Sequence, residues 1–180
     1  MSEARKTALR IWTVGHSTRT AEEFVSLLRE YSIELVADVR RYPGSRKFPH
    51  FNRDELRKLL ADNGIRYVWF EDLGGRRHGK SASESPNVGL RSRGFRNYAD
   101  YMLTDRFASA LAKLMDVAHE ARTTLMCAEL LYWKCHRRLI CDTLTAHGVS
   151  VTHILGHGRT REHTLTPEAR IEPGPVVVYR

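Results

Sequence analysis

The side chains of this sequence best suited to chemistry are two cysteines, eight residues apart, that lie beside acidic and basic groups. Cys127 is followed by Glu129, and Cys135 begins the run Cys135-His136-Arg137. The thiolate is the nucleophilic form of cysteine, and neighbouring basic side chains and a helix N-terminus favour it by lowering the thiol pKa. We therefore expect a lowered pKa at Cys127, which can act as a nucleophile while Glu129 or His136 moves protons.

The same residues fit three other interpretations. Both cysteines can pack inertly, since free cysteine is among the most buried residue types. They can form a redox pair, although their spacing differs from the tight Cys-X-X-Cys motif of redox folds. They can also bind zinc through Cys127, Cys135 and His136, with His16 or His157 as a fourth ligand. Against zinc, the adjacent side chains at 135 and 136 are expected to point in different directions at the start of a helix.

Other reactive side chains fall at the predicted carboxyl ends of strands, where open parallel sheets bind their ligands. His16 and Ser17 follow the first strand, and Asp38 and Arg40 end the second. His16 is a candidate general acid, or else a cap for the next turn. Asp38 and Arg40 are two positions apart, so both project to the same face of a regular strand. Such a pair suits a carboxylate held by an arginine, for catalysis or for structure alone.

Basic residues outnumber acidic ones, which favours an anionic partner such as a nucleotide or a nucleic acid. The formal net charge is +8, and more than half of the 29 Lys and Arg residues fall in segments 40–58, 76–96 and 134–138. Arginines beside helix N-termini can bind an anion, and a Gly pair allows close approach to a phosphate. The alternatives are a solvated basic face and an ordinary turn. The candidate substrate- or anion-binding residues are Ser17, Arg40, Arg46, Gly74, Gly75, Arg76, Cys135 and Arg137.

Several aromatic side chains lie near these arginines in the sequence and can stack on nucleobases. Tyr42, Tyr132 and Trp133 are the candidates, whereas Trp69 lies inside a predicted strand and is expected in the core. The segment 72–94, rich in Gly, Ser and Arg, is predicted to be a long loop and is a candidate mobile lid.

Apolar runs predict strands at 11–15, 33–40, 65–70, 123–128 and 149–155, alternating with helices. The first two helices begin at the N-cap residues Thr20 and Asn52; a longer helical region spans 95–115 with a bend near Thr104, and the last spans 135–147. This alternation predicts a three-layer α/β fold, with a mostly parallel sheet of about five strands, helices on both faces and right-handed crossovers. A Pro-containing tail follows at 157–180, whose apolar run 176–179 is predicted to form an edge strand or to lie on the surface.

The composition is typical of a soluble globular protein. The 180 residues fit a single α/β domain over 1–180, and 42% apolar with 28% charged residues argues against disorder. No apolar run approaches the roughly 20 residues of a membrane-spanning helix, and the first residues lack the apolar segment of a signal peptide. Three cysteines do not make a disulfide framework, and Cys141 is expected in the core. We therefore expect a cytoplasmic protein with no membrane partner.

Six ordered motifs stand out: Thr13-Val14-Gly15-His16-Ser17, Ala37-Asp38-Val39-Arg40, Tyr42-Pro43-Gly44-Ser45-Arg46, Leu73-Gly74-Gly75-Arg76, Leu125-Met126-Cys127-Ala128-Glu129 and Cys135-His136-Arg137. Together they resemble the bacterial and archaeal family known as domain of unknown function 488, over about residues 11–155. The resemblance implies an α/β fold and a shared pocket around the Cys-X-Glu and Cys-His-Arg motifs, and no activity, since none is established for the family. The chain departs from the family pattern at 130–134, where Leu-Leu-Tyr-Trp-Lys stands in place of polar residues and a proline.

These observations predict an enzyme that acts on a phosphate-bearing substrate, a nucleotide or nucleic acid, in an arginine-rich cleft at the carboxyl ends of the strands. Cys127 and Glu129 are the predicted chemical pair, supported by His16, Asp38 and His136. The first alternative is a non-catalytic nucleic-acid-binding module, in which the arginines bind and the cysteines belong to the core. The second is a protein that binds a metal or another cofactor.

Overall fold

The computed structural model describes residues 8–79 and 83–180, and within them it contains eight strands and five α-helices. The strands are β1 (Arg10–Gly15), β2 (Leu35–Asp38), β3 (Arg66–Trp69), β4 (Thr123–Cys127), β5 (Ser150–Gly156), β6 (Arg159–Glu162), β7 (Ala169–Glu172) and β8 (Val176–Tyr179). The helices are α1 (Ala21–Glu30), α2 (Arg53–Asp62), α3 (Arg93–Met102), α4 (Asp105–Glu120) and α5 (Arg137–Ala146). The expectation about the first residues, and positions 80–82 of the predicted loop, lie outside the described residues.

Six strands form one sheet in the order β3-β2-β4-β1-β5-β6. Strands β1 to β5 are parallel, and β6 runs antiparallel to β5. Because β4 lies between β2 and β1, the carboxyl ends of these three strands are adjacent. Gly15 lies opposite Cys127 in this register, and Asp38 lies opposite Met126. The topology therefore brings residues that are far apart in sequence to one edge of the sheet.

Helices cover both faces of this sheet. On one face, α1 and α2 contribute buried side chains such as Phe24 and Leu56 to a core shared with β1, β2, β4 and β5. On the other face, α3, α4 and α5 contribute Tyr98, Phe107 and Leu139 to a second core. The two apolar layers confirm the predicted three-layer α/β fold.

Local signals explain where several helices begin. The Thr20 hydroxyl accepts from the Glu23 N–H (3.1 Å) and the Glu23 carboxylate accepts from the Thr20 N–H (2.8 Å), so a reciprocal cap starts α1. Asn52 precedes α2 as predicted, but its side chain caps no helical N–H and instead accepts from the Ser45 N–H at 2.5 Å. The helical region at 95–115 is two helices. Helix α3 ends at Met102, and the Thr104 side chain accepts from the Phe107 N–H and so caps the start of α4.

The C-terminal tail contains more strand than the sequence predicts. Strand β6 adds a sixth, antiparallel strand to the sheet, so the predicted number of about five is one short. Its sequence, Arg-Thr-Arg-Glu, is exposed along its whole length and carries no apolar signal. Strands β7 and β8 form a separate two-stranded antiparallel sheet, which includes the predicted run 176–179.

The described part of segment 72–94 has the character of a loop. A short 3₁₀ turn spans Glu71–Leu73, and no further helix or strand is present in the described residues before α3 begins. Among the helices of the described ranges, none has the combination of length and apolar character that crossing a bilayer requires.

Candidate functional site

A cavity of about 720 Å³ lies at the carboxyl ends of β1, β2 and β4. Cys127 and His136 line it together with His16, and Arg41 and Arg76 contribute to its wall. The position agrees with the rule that open α/β sheets bind ligands outside the carboxyl ends of their strands. The cavity lining therefore includes residues from all six motifs of the sequence.

Two sulfur atoms and one imidazole nitrogen meet beside the cavity. The side chains of Cys127 and Cys135 are neighbours, and the Cys135 Sγ lies 3.7 Å from His136 Nδ1. All three atoms lie within 4.8 Å of one another. The expectation that positions 135 and 136 point apart is wrong, because Cys135 has an extended backbone (φ −123°, ψ 147°) and the helical conformation begins at His136 (φ −58°, ψ −20°).

The orientation of the His136 ring is fixed from its far side. Its Nε2 lies 2.9 Å from the backbone oxygen of Val39. A carbonyl oxygen only accepts, so Nε2 carries the proton and Nδ1 of the neutral ring keeps its lone pair. That lone pair faces the sulfur atoms.

Arg137 acts on the cysteines and is not free to bind a substrate. Its side chain is 1% exposed, its Nε donates to the Cys135 Sγ at 3.5 Å, and its Nη2 donates to the backbone oxygen of Glu129. The neighbouring Cys127 thiol, with His136 and Arg137 nearby, lowers the pKa of Cys135, whereas Cys135 and burial raise the pKa of Cys127. The expected lowering of the Cys127 pKa is therefore not found: Arg137 lowers the pKa of both thiols, but at Cys127 the effects of Cys135 and of burial are larger.

Asp38 and Arg40 form a buried ion pair, with Arg40 Nη2 2.6 Å from Asp38 Oδ2. The Tyr67 hydroxyl also donates to Asp38, at 2.7 Å. Arg40 Nη1 donates to the backbone oxygen of Phe51 at 2.8 Å and lies 3.4 Å from His16 Nε2. Both side chains lie on one side of the chain, as predicted, but their polar atoms bind one another and the protein. Arg40 therefore places a fixed positive charge beside His16.

His16 is buried and neutral near pH 7. Its Nδ1 donates to the backbone oxygen of Ser17 at 3.0 Å, and its ring stacks on Phe51 with centroids 4.0 Å apart. Burial, and then the charge of Arg40, lower the pKa of His16 to about 4. In this tautomer Nε2 has no proton to give near pH 7, so His16 does not fit the predicted general acid, and its low pKa also makes it a weak base.

Ser17 and Arg76 both line the cavity with a left-handed backbone, at φ 52° and φ 56°. Residues other than glycine rarely adopt this conformation, which costs roughly 1–3 kcal/mol and occurs often at functional sites. Two such residues in one cavity wall support a functional role for it.

Glu129 lies exposed at the cavity, and its carboxylate accepts from the Leu131 N–H at 3.3 Å. Its backbone, and not its carboxylate, hydrogen-bonds to Cys127. The predicted Cys127–Glu129 pair therefore shares the cavity without a side-chain hydrogen bond between its members in the described structure.

The two exposed arginines among the predicted anion-binding residues do not line the same site. Arg76 is exposed and lines the cavity, while Arg46 is exposed and lines a separate shallow depression. Arg41, which lines the cavity and pairs with Glu71 at 3.0 Å, is not among the predicted anion-binding residues. Its signal was its position directly after Arg40, in the basic segment 40–58.

Gly74 and Gly75 are explained by packing. A Cβ at Gly74 would lie 2.6 Å from the Arg41 Cα, and one at Gly75 would lie 3.0 Å from His136 Nδ1. Both glycines are therefore needed for the close approach of residues that line the cavity.

The remaining candidates fall elsewhere. Tyr42 lines the cavity, but Tyr132 is buried and stacks on His153 with centroids 3.5 Å apart, so it is not available to a nucleobase. Trp69 is half-buried and donates from its ring to a backbone oxygen, and Trp133 is exposed away from the cavity lining. His157 lies in the β5–β6 turn, where it pairs with Glu30 from the end of α1, and it is not part of the sulfur–imidazole group.

Comparison with protein families gives a match across the elements that build this cavity. A family model described as domain of unknown function DUF488 matches residues 20–144, more than two thirds of the chain. The chain belongs to the DUF488 family. The DUF488 match includes Asp38, Cys127 and the Cys135-His136-Arg137 run, and it begins after His16. Neither the search of curated proteins nor the search of solved structures found a match.

Proposed function

We propose that the protein is an enzyme that acts on a phosphate-bearing small molecule of the nucleotide class in this cavity. The observation that carries the proposal is that Cys127 and His136 line the same cavity, of about 720 Å³, as Arg41 and Arg76. A sulfur–imidazole group and two guanidinium groups in one concave site are suited to binding an anion and transforming it.

Arg41 and Arg76 bind the phosphate in this proposal, because a guanidinium donates paired hydrogen bonds to phosphate oxygens. Arg76 has no carboxylate partner among the residues that the structure describes, and Arg41 has one, Glu71, which is itself partly exposed. The donors of Arg40 and Arg137 bind protein atoms, so we leave both out of the substrate contact.

The aromatic wall supports a nucleotide over a bare phosphate. Tyr42, which is 66% exposed, lines the cavity together with Phe48 and Phe95. A nucleobase gains about 1–3 kcal/mol by stacking on such a side chain. The volume of about 720 Å³ falls within the roughly 300–1,000 Å³ typical of small-molecule sites. We therefore favour a nucleotide over a nucleic-acid strand.

The reaction centre in this proposal is the group formed by Cys127, Cys135 and His136. Cys127 and His136 line the cavity, and Cys135 lies behind them. Glu129, which lines the cavity, accepts and returns protons in this proposal, while His16 contributes a neutral ring to the cavity wall.

Calorimetric titration with inorganic pyrophosphate and with nucleoside mono-, di- and triphosphates tests the binding half of the proposal. We expect Arg41→Gln and Arg76→Gln each to weaken binding about tenfold or more, since each removes a charged hydrogen-bond donor. Arg57→Gln, on the exposed face of α2 and outside the cavity, is the matched control. Equal affinities in all three variants would contradict the proposal.

A turnover screen with phosphate esters and nucleotides tests the catalytic half. We expect Cys127→Ala to abolish turnover, and Cys141→Ala, which alters a buried thiol away from the cavity, to keep turnover. Oligonucleotide binding that weakens steeply with salt, without turnover in any condition, would replace the enzyme by a nucleic-acid-binding module.

A further inference from the structure

We propose that Cys127, Cys135 and His136 bind a zinc ion through two sulfur atoms and one imidazole nitrogen, with a fourth coordination position open to the cavity. The inference rests on the proposed function only in assigning the reaction centre to this place. It identifies what the two cysteines and the histidine do there: they hold a metal ion that contacts the substrate.

The separations of the three atoms suit a small tetrahedral ion. Zinc bonds are about 2.3 Å to sulfur and about 2.0–2.1 Å to nitrogen, which places a tetrahedral sulfur–nitrogen pair about 3.6 Å apart. The Cys135 Sγ and His136 Nδ1 are 3.7 Å apart, and all three ligand atoms lie within 4.8 Å of one another. Closing this group on an ion needs only small side-chain adjustments.

The surroundings of the ligands also fit a metal. Metal-binding histidines almost always donate their other ring N–H to a carbonyl or carboxylate, and His136 Nε2 donates to the Val39 oxygen at 2.9 Å. Arg137 Nε donates to the Cys135 Sγ at 3.5 Å, which supports a thiolate. The Nδ1 lone pair and the sulfur atoms are thus left to face one another.

A second group of potential metal ligands in the described residues differs from the proposed zinc site in its hydrogen bonds. Cys141, His153 and His163 also lie within 4.8 Å, but the ring nitrogens of both histidines already bind protein partners. His153 binds Thr13 and His163, and His163 binds His153 and Asp142. That group has no free imidazole lone pair, so it carries no metal site.

The three ligands indicate which metal binds and leave one coordination position without a protein ligand. Thiolate and imidazole ligands favour zinc over magnesium or calcium, which prefer oxygen. Sites with three protein ligands leave one position for water or substrate, as in catalytic zinc sites. Cys127 and His136 line the cavity, so the open position faces the place where Arg41 and Arg76 would hold a phosphate.

Zinc content tests the site directly. The full chain, stripped with a chelator and titrated with zinc against a chromophoric competitor, is expected to bind about one ion. Cys127→Ala, Cys135→Ala and His136→Ala are each expected to weaken zinc binding at least about 100-fold, and Cys141→Ala to leave it unchanged. Zinc binding below one tenth of an equivalent (~0.1) by the folded wild-type chain, or binding retained in all three variants, overturns the proposal.

Cobalt substitution gives a readout that does not depend on how each variant folds. Wild-type protein loaded with Co²⁺ is expected to show a near-ultraviolet thiolate-to-cobalt absorption band, and its absence overturns the site. Pyrophosphate titration of the same samples separates the two proposals. A protein that binds pyrophosphate through Arg41 and Arg76 but takes up no metal overturns the zinc site alone. A protein that binds zinc but shows no effect of Arg41→Gln and Arg76→Gln overturns the proposed function alone.

Discussion

His163 donates its Nε2 proton to the buried carboxylate of Asp142 across 2.9 Å, and this bond sets the proton positions of a longer chain. Because Nε2 carries the proton, Nδ1 of the neutral ring accepts from His153 Nε2 at 3.0 Å. His153 Nδ1 then accepts from the Thr13 hydroxyl at 2.7 Å. The chain links α5 to β5 and β1 through the residue that follows β6, and it leaves no ring nitrogen free.

Protonation of the buried His153 is disfavoured in the folded chain, so acid is expected to destabilise the fold. Burial, together with His163, Arg137 and Arg161, lowers the pKa of His153 from 6.5 to about 3. The unfolded chain therefore binds a proton between these pH values that the folded chain does not. The contribution to stability is complete above about pH 6.5 and is lost as the pH falls, by up to about 1.4 kcal/mol per pH unit.

Urea unfolding at about pH 7 and about pH 5 measures this loss. We expect His153→Gln to lose about 1–2 kcal/mol less than wild type between the two conditions, since glutamine does not titrate. His119→Gln, which changes an exposed histidine at the end of α4, should keep the wild-type difference. An unaltered pH dependence in His153→Gln would show that a group other than His153 causes the loss of stability in acid.

Tyr179 is expected to hold the last strand in place through one hydrogen bond. Its hydroxyl donates to Asp142 Oδ2 at 2.9 Å, within the core. Tyr179→Phe removes this donor to a charged acceptor, and we expect a loss of about 1.5–3 kcal/mol in the free energy of unfolding. Tyr42→Phe, on a side chain that is 66% exposed, should change it by less than about 0.5 kcal/mol. A loss in Tyr179→Phe no larger than in Tyr42→Phe would mean that the hydroxyl contributes nothing.

Gly15 is expected to tolerate no side chain. A Cβ there would lie 2.0 Å from the backbone oxygen of Glu129 and 2.8 Å from the Leu130 Cα, so rigid main chain would have to move. We expect Gly15→Ala to cost about 3 kcal/mol or more in urea unfolding, at the upper end for overpacking. Gly156→Ala, where a Cβ would meet nothing within 4 Å, should be nearly neutral. Similar urea midpoints for the two variants would contradict this account.

The positions of the strand ends could be predicted from the sequence, but the partners of their side chains could not. Apolar runs located β1, β2 and β4, and parallel pairing implied that Ser17, Asp38 and Cys127 approach one edge. That β4 lies between β2 and β1 depends on long-range packing. The meeting of Cys135 and His136 depends on a change of backbone conformation between two adjacent residues, which no periodicity reports.

Arginine burial is the other feature that sequence reasoning missed. Arginine is rarely fully buried unless it is paired, so Arg40 and Arg137 were predicted to face a substrate. Each is buried because the fold provides acceptors at the right place, a carboxylate for Arg40 and a sulfur atom with a backbone oxygen for Arg137.

The Asp38–Arg40 pair is expected to behave as one energetic unit. The pair is 0% and 6% exposed, with a nitrogen–oxygen distance of 2.6 Å. Removing one member leaves the other charged and buried, so we expect Arg40→Met or Asp38→Asn to cost about 3–5 kcal/mol each. The double variant leaves no unpaired charge, and its cost should fall below the sum of the single costs by more than about 1 kcal/mol.

An exposed pair provides the control for this double-mutant cycle. Arg66 and Glu120 are 54% and 67% exposed and 3.6 Å apart, and solvent screening limits such a pair to about 0–1 kcal/mol. We therefore expect Arg66→Met and Glu120→Gln to be additive within about 0.5 kcal/mol. Additive costs at Asp38 and Arg40 as well would mean that each is held by its other partners, Tyr67 and Phe51, and that the ion pair does not fix the charge beside His16.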